Sequence, residues 1–304
     1  MRFEAVKAIY ETGAADKDLY FITGDLGHMN TSEFRRDMPG RYFNGGMSEQ
    51  NIVGMAAGLA LAGKQAVVYS IVPFITLRPY EQIKVDVCDQ NLNVIVVGVG
   101  GGFAYGNAGA THYSIEELGA LRCLPNMKIV CPADPKETYS LTSQILKLGG
   151  PAYIRIGRGR EASLPMEHKV VFGKAVVLRS GKDMTIISSG TIVAEALKTA
   201  ELLAKNGYDV EVANMHTIKP LDKDFINERI KKNKAIFTLE EHSVYGALGS
   251  AVAEVISESG RGIIFKRFGV QDAWPEVVGT QDYLRDKNGI SAAKVAEEIC
   301  KMLK

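Results

Sequence analysis

Five short apolar runs, separated by helical patterns, constrain the fold of this 304-residue chain more than any other feature. They are rich in β-branched residues and lie at 19–23, 66–70, 94–99, 128–131 and 152–156. Strands that alternate with helices form a parallel sheet covered on both faces, and ligands bind beyond the carboxyl ends of its strands. The sequence therefore predicts an α/β domain with a site at that edge.

The same alternation returns in the second half of the chain. Strand-like runs there lie at 184–190, 208–215, 235–241 and 262–269. We predict two doubly wound α/β domains, at 1–160 and 184–304, joined by a linker at 161–183. A chain of this length can bury a separate core in each of them.

Charge and composition exclude several classes of function. Lys and Arg (36) nearly balance Asp and Glu (35) and are interspersed with them, so we expect no nucleic-acid partner. No apolar run reaches the roughly 18 residues of a membrane span, and the N-terminus lacks a signal-peptide core. The four cysteines form no CxxC pair, which favours free thiols over a metal site. We expect a cytoplasmic protein with no membrane partner.

Residues 41–63 combine a glycine-rich turn with a helix of small apolar residues. Ser48 stands where an N-cap is expected. Gly54 and Gly58 lie on one stripe of this helix, and each interior glycine costs about 1 kcal/mol relative to alanine. The stripe predicts close packing at a subunit or cofactor interface. Glu49 in the first turn is either stabilised by the helix dipole alone or is a functional carboxylate.

The segment after the second strand-like run carries three candidates, Phe74, Arg78 and Tyr80. Pro73 and Pro79 interrupt any long element, and Pro79 begins a helix. An aromatic residue in an apolar loop is usually part of the core, and an arginine usually lies at the surface. The residues alone do not decide whether these three side chains are structural or bind a ligand.

A glycine-rich segment follows the third run and contains His112. Phe103 stands where the GxGxxG fingerprint requires glycine, so a dinucleotide site is not predicted. Ser114 and Glu117 form an S-x-x-E capping box for the next helix. His112 precedes this box in a loop where an imidazole can face a cavity and exchange protons near neutral pH. A solvated or structural histidine is the alternative.

Arg155 and Arg158 lie at the end of the fifth run. Arginine binds phosphate or carboxylate through two parallel hydrogen bonds, so both are candidates for binding an anionic substrate. A salt bridge at the domain edge is the alternative.

Several motifs together resemble a known family. FNGGMSEQNIVGMAAGLALAG, at 43–63, resembles the glutamate motif in the pyrimidine-binding domain of thiamine diphosphate (ThDP) enzymes of the transketolase superfamily. GATH, which ends at His112, and the following RCLPNM resemble the histidine motif of that family. HTIKPLD at 216–222 and LEEHSVYGALGSAVAEV at 239–255 resemble its C-terminal domain. The resemblance covers essentially the whole chain.

The resemblance assigns catalytic and cofactor-binding roles. It implies that Glu49 hydrogen-bonds the aminopyrimidine ring of ThDP and so activates the cofactor. Phe74, or Tyr80 as a second choice, would stack against the same ring. His112 would hydrogen-bond the substrate oxygen or exchange a proton with it.

Substrate-binding roles follow in the same way for Arg78, Arg155, Arg158 and His28, although the family pattern is altered nearby. Substrate-facing positions of ordinary transketolases carry different residues here, namely Met29, Gly100 and Ala108. The substrate therefore stays open among a modified sugar or sugar phosphate, a nucleotide-linked sugar and a keto acid. His242, in the C-terminal motif, is interpreted as structural or interfacial.

The chain lacks the GDG motif with which the family holds Mg²⁺ and the cofactor diphosphate. It corresponds to the C-terminal two thirds of a full transketolase. Such chains work with a separate N-terminal subunit that holds the diphosphate and Mg²⁺. The resemblance thus implies a heteromer, expected to be an α2β2 tetramer in which this chain also self-associates.

We therefore predict the C-terminal, or β, subunit of a split transketolase-like ThDP enzyme in carbohydrate metabolism. It would transfer a ketol or acyl-type fragment from a ketose or keto donor to an aldehyde after C–C cleavage. The β subunit of a 2-oxo-acid dehydrogenase or decarboxylase is one alternative, because similar motifs occur there. A non-catalytic scaffold subunit is another.

Overall fold

The computed structural model describes residues 1–26, 31–159, 161, 163–164 and 168–303. These residues form two open sheets flanked by helices, as the alternating pattern predicts. In this part of the chain no helix combines the length and apolarity needed to cross a lipid bilayer.

The strands of the first half agree closely with the predicted runs. They are β1 (Leu19–Thr23), β2 (Tyr42–Asn44), β3 (Gln65–Ile71), β4 (Val94–Val99), β5 (Lys128–Val130) and β6 (Ala152–Ile156). All pairs among them are parallel. Only the short strand β2 was not predicted. Their carboxyl ends therefore lie at one edge of the sheet, where the candidate site was expected.

Helices cover both faces of this sheet. They are α1 (Arg2–Ala15), α2 (Ser32–Asp37), α3 (Glu49–Leu61), α4 (Val72–Thr76), α5 (Tyr80–Gln82), which continues as a π-helix at Ile83–Asp89, α6 (Glu117–Arg122) and α7 (Pro135–Leu148). Side chains alternate across β3: Val67 and Tyr69 pack with α1 and α7, whereas Ala66 and Val68 pack with α3 and α6.

The second half contains six further strands and five α-helices in the described residues. The strands are β7 (Val176–Arg179), β8 (Met184–Ser188), β9 (Val210–Asn214), β10 (Thr217–Lys219), β11 (Ala235–Ser243) and β12 (Ile264–Val270). The helices are α8 (Val193–Lys205), α9 (Lys223–Lys232), α10 (Leu248–Glu258), α11 (Gln281–Lys287) and α12 (Ala292–Met302). The second sheet has the order β12-β11-β8-β9-β7, and β7 is antiparallel to its neighbour. The strand β7 lies within the segment 161–183 that was predicted to be a linker. The boundaries of the two domains stay a prediction.

One strand of the second half completes the first sheet. The order there is β10-β5-β6-β4-β3-β1-β2, and β10 pairs antiparallel with β5. One apolar cluster also contains Ile22 and Val68 from the first half together with Ile187 and Ile236 from the second. The two halves thus share a sheet and a core, which the sequence did not predict.

Local capping follows the sequence at one helix and departs from it at two others. Asp134 caps α7, since its Oδ1 accepts a hydrogen bond from the Glu137 amide at 2.8 Å. The Ser48 hydroxyl instead donates to the Gly45 carbonyl at 2.6 Å, and no side chain caps α3. The Ser114 hydroxyl donates to the Glu117 carboxylate at 2.9 Å and does not cap the helix. The helix α6 begins at Glu117, later than predicted.

Candidate active site

Five predicted side chains follow the carboxyl ends of neighbouring parallel strands. Glu49 is the first residue of α3, which follows β2. Phe74 lies in α4, directly after β3, and Arg78 comes a few residues later. His112 lies in the loop after β4, and Arg158 follows β6. Strand polarity is what brings together residues so far apart in the sequence.

Glu49 is a buried carboxylate, with only 2% of the residue exposed. Its Oε2 lies 2.6 Å from an Nη1 of Arg78. Its Oε1 faces the Ser70 hydroxyl at 3.5 Å, which is a long and weak hydrogen bond. One carboxylate oxygen is therefore firmly held, and the other is loosely held.

Phe74 and Arg78 form the next part of the site. The Arg78 guanidinium carbon lies 4.5 Å from the centre of the Phe74 ring, within the range of a cation–π contact. The Arg78 side chain is 42% exposed, although it contacts a buried glutamate. Part of this guanidinium can therefore still face a ligand.

His112 also contacts Phe74. Its ring centre is 5.2 Å from that of Phe74, in an edge-to-face arrangement. Its Nδ1 lies 2.8 Å from the Thr111 hydroxyl, which orients the ring in either tautomer. The residue is only half-buried, which leaves part of the ring accessible.

Tyr105, which sequence analysis did not select, connects His112 to Arg158. Its ring centre lies 6.4 Å from that of His112 and 4.7 Å from the Arg158 guanidinium carbon. A continuous series of contacts thus runs along the strand ends, and we term it the site row. Its members in order are Glu49, Arg78, Phe74, His112, Tyr105 and Arg158. The sequence signal that could have identified Tyr105 is an aromatic residue in a glycine-rich loop after a buried strand.

The structure does not bring Arg155 to the site row. Arg155 is buried, with its Nε 2.7 Å from the Glu117 carboxylate. Its Nη2 donates to the backbone carbonyls of Ser114, at 3.0 Å, and Glu241, at 3.1 Å. Its role in substrate binding stays a prediction, and its observed contacts connect the two halves of the chain.

Tyr80 and His242 also have partners elsewhere, and His28 lies outside the described residues. The Tyr80 hydroxyl donates to the Ala120 carbonyl at 3.0 Å, and its ring packs on the core. Of the two aromatic candidates, Phe74 is the one in contact with His112 and Arg78. His242 is buried, and burial lowers its pKa.

Packing explains the glycine-rich loop after β4. A Cβ atom on Gly101 would lie 2.3 Å from the Arg155 side chain, and one on Gly102 would lie 2.7 Å from that of Glu241. Side chains from other elements thus occupy the space that a larger residue here would need. The glycines serve close packing between elements, consistent with the failed dinucleotide fingerprint.

The donor set of the site row fits the aminopyrimidine end of a ThDP-like cofactor. A buried carboxylate with one loosely held oxygen can accept a hydrogen bond from a ring nitrogen, and the half-buried Phe74 offers an aromatic surface. Within the described ranges, no three or more His, Cys, Asp or Glu side chains are grouped closely enough to hold a metal ion.

Comparison with known proteins identifies the family. The model of the transketolase pyrimidine-binding domain matches residues 3–161, and that of the transketolase C-terminal domain matches residues 173–295. The chain therefore belongs to the transketolase family, a family of ThDP-dependent transferases. Membership implies the use of ThDP.

Individual relatives place the chain more closely, among the subunits of split transketolases. One of the subunits of the apulose-4-phosphate transketolase of Actinobacillus succinogenes is 38% identical, over 87% of this chain and 85% of the relative. The 6-deoxy-6-sulfo-D-fructose transketolase subunit SqwH of a Clostridium species is 36% identical, over 97% and 92%. A solved structure described as a split gene transketolase, inactive beta4 tetramer, is 35% identical and covers 98% of this chain and 96% of its own, with a TM-score of 0.87. These relatives favour the predicted transketolase subunit over the 2-oxo-acid dehydrogenase alternative.

Proposed function

We propose that this chain is the C-terminal subunit of a split transketolase that moves a ketol-type fragment from a ketose donor to an aldehyde acceptor. The observation that carries this proposal is the buried Glu49 carboxylate at the strand ends, in line with Phe74 and His112. The similarity to subunits of split transketolases supports it.

Glu49 and Phe74 would hold the aminopyrimidine of ThDP. Glu49 would accept a hydrogen bond from a ring nitrogen through its loosely held Oε1, while Arg78 keeps the other oxygen in place. Phe74 would contact the face of the same ring. Bound ThDP supplies the nucleophilic carbon with which such enzymes cleave a C–C bond next to a carbonyl.

His112 would act on the substrate oxygen. Thr111 orients the imidazole through Nδ1, and Nε2 can hold or release a proton at the substrate carbonyl or hydroxyl. Arg158 and the exposed part of Arg78 would bind anionic groups of the substrate.

The diphosphate and Mg²⁺ would be held by a separate N-terminal subunit. This chain has no GDG motif, and fixing a diphosphate requires a metal and several converging donors. The related structure described as a beta4 tetramer is also described as inactive. We propose a cytoplasmic α2β2 assembly in which the cofactor lies between the two kinds of subunit.

The stripe of glycines on α3 supports an interface with another chain. Gly54 and Gly58 are exposed, and a Cβ atom at either position would meet nothing within 4 Å. No packing within the described chain therefore explains two glycines in a helix interior, each of which costs about 1 kcal/mol. A second backbone that approaches this face would explain them.

Calorimetric titration of ThDP with Mg²⁺ tests the proposal. The titrant is added to this chain alone, to the proposed N-terminal partner subunit, and to their mixture. We expect tight binding and ketol transfer in the mixture only. Tight binding to this chain alone would contradict a divided cofactor site. Binding without turnover on any ketose and aldehyde pair would favour the scaffold alternative.

A further inference from the structure

We infer that Glu241 is a positioning residue for the reaction, because its carboxylate fixes the loop that carries His112. This inference rests on the proposed function and deepens it, since it gives the second half of the chain a part in proton exchange at the substrate. Glu241 lies in β11 and would act through the loop at 102–114, which we term the His112 loop.

The two ends of the His112 loop are joined to each other. The Gly102 amide donates to the Ser114 carbonyl at 2.9 Å, and the Ser114 amide donates back at 3.1 Å. His112 lies only two residues before Ser114, and within the loop its Nδ1 is 2.8 Å from the Thr111 hydroxyl. The placement of the imidazole therefore depends on what holds Gly102 and Ser114.

Glu241 holds the first end of this loop. Its Oε1 accepts a hydrogen bond from the Phe103 amide at 2.6 Å, and the carboxylate is buried. A Cβ atom on Gly102, whose φ is +60°, would lie 2.7 Å from the same side chain. Glycine thus allows the loop backbone to approach the carboxylate closely. A hydrogen bond to an ionised acceptor is stronger than a neutral one, so this contact fixes the start of the loop.

Residues of α11 hold the Glu241 carboxylate in turn. The Arg285 Nε donates to its Oε2 at 2.8 Å, and the Gln281 amide donates to its Oε1 at 2.9 Å. Arg285 is itself oriented by Thr191, whose hydroxyl accepts a hydrogen bond from Nη2 at 3.0 Å. The second half of the chain therefore determines the orientation of the carboxylate that meets the loop.

The other end of the loop is also attached to β11. The Arg155 Nη2 donates to the carbonyls of Ser114, at 3.0 Å, and Glu241, at 3.1 Å. Just beyond the loop, the Ser243 amide donates to the Ile115 carbonyl at 2.6 Å. Both ends are thus referenced to the same strand of the second sheet.

Aromatic side chains of the loop belong to the core of the second half. Phe103 and Tyr113 are buried, with their ring centres 5.4 Å apart, and they share a cluster with Ile186 and Phe237. Tyr113 directly follows His112 in the sequence. Since misplacing a reacting group by about 1 Å can cost about 100-fold in rate, the loss of the Glu241 contact should reduce turnover.

Kinetics of the reconstituted enzyme test the inference. In Glu241→Gln one side of the amide accepts and the other donates, so either Arg285 or the Phe103 amide loses its acceptor. We expect kcat to fall about 10- to 100-fold, with KM for both substrates little changed. Glu211→Gln is the matched control and should keep its kcat, because Glu211 is also a buried carboxylate of the second sheet. It is held by Arg229 at 2.9 Å and by a hydroxyl at 2.8 Å.

A double-mutant cycle with His112 separates positioning from a general loss of structure. If Glu241 acts through His112, Glu241→Gln should lower kcat less than about twofold in a His112→Asn background. Equal fold losses in the two backgrounds would overturn the inference. Should Glu241→Gln fail to fold, Gly102→Ala tests the same contact, because its Cβ displaces the loop and leaves the pair with Arg285 in place. The same non-additivity with His112→Asn is then expected.

A second measurement does not depend on turnover. The His112 Cε1–H signal is recorded by ¹H–¹³C NMR in the isolated chain and assigned with His112→Asn. The Phe74 ring, 5.2 Å from the imidazole, shifts this signal through its ring current. We expect the shift to change in Glu241→Gln and Gly102→Ala but not in Glu211→Gln. An unchanged signal in both loop variants would overturn the inference. A changed signal in a chain whose wild-type complex lacks ketol transfer would contradict the proposed function only.

Discussion

Arginine meets glutamate in two regions of this molecule, with opposite consequences. Where the two halves of the chain join, the Glu117 and Arg155 side chains are 0% and 8% exposed. In the site row, Glu49 is equally buried, at 3%, but its partner Arg78 is 42% exposed. The first pair is closed to ligands, whereas the second has one side open.

The other contacts of each arginine explain this difference. At the junction, Arg155 also donates to two backbone carbonyls, and the Arg285 Nε lies 2.8 Å from Glu241. In the site row, Arg78 and Arg158 contact the faces of Phe74 and Tyr105. Oxygen partners use up the N–H groups of an arginine, whereas an aromatic face orients the group and leaves those donors free. The contacts of the arginines therefore differ between the buried junction and the exposed side of the site row.

The largest effect that we predict is on activity, at Glu49. Glu49→Gln removes the charge that would interact with the cofactor ring but keeps the shape of the side chain. We expect turnover of the reconstituted enzyme to fall about 100-fold or more, while the thermal unfolding temperature stays close to that of the wild type. Glu276→Gln, at an exposed position, is the control. Retained turnover in a folded Glu49→Gln protein would remove Glu49 from the mechanism.

The second prediction compares the two regions directly, through stability. Arg155→Met leaves the fully buried Glu117 carboxylate without its cation, and breaking such a pair costs about 3–5 kcal/mol. Arg158→Met removes an exposed side chain, and we expect a change within about 0.5 kcal/mol. Urea unfolding of the isolated chain measures both values. Equal losses of stability would show that the two regions do not differ as proposed.

The third prediction concerns Glu240, a buried carboxyl of β11 whose side chain forms no salt bridge within the described residues. Burial raises its pKa to about 8 from the ordinary 4.5, and its Oε2 has no hydrogen-bond partner. The folded protein then holds a proton that the unfolded chain has lost, so this group makes stability decrease as pH rises from about 5 to about 8. The slope is at most about 1.4 kcal/mol per pH unit.

Glu240→Gln, which cannot ionise, should flatten this pH dependence and stabilise the protein near pH 8. Urea unfolding at intervals between pH 5 and pH 8 measures the effect, with Glu276→Gln again as the control. A slope that is the same in the wild type and in Glu240→Gln would show that Glu240 ionises normally in the folded state.

Patterns that are local in sequence predicted much of this molecule. The apolar, β-branched runs located β1, β3, β4, β5 and β6, and strand polarity then predicted the edge on which Phe74 and His112 lie. The capping of α7 by Asp134 is also a local contact, because its partner Glu137 is only three residues away.

Contacts between distant segments could not be predicted in the same way. Tyr105 belongs to the site because Gly100 leaves space for its ring and Arg158, from another strand end, contacts it. Arg155 and Arg158 look equivalent in sequence, yet Glu117 and the Glu241 carbonyl surround only the first. Such distinctions depend on which segments meet in space, and residue type and spacing do not contain that information.

The strand β10 has a consequence for how the chain folds and for how it can be divided. Because this strand comes from the second half and pairs with β5, the first sheet cannot be completed until most of the chain has been synthesised. A fragment that ends near residue 160 would leave the edge of β5 unpaired, and open strand edges promote aggregation. We therefore expect the two domains, although distinct as sequence families, to unfold together.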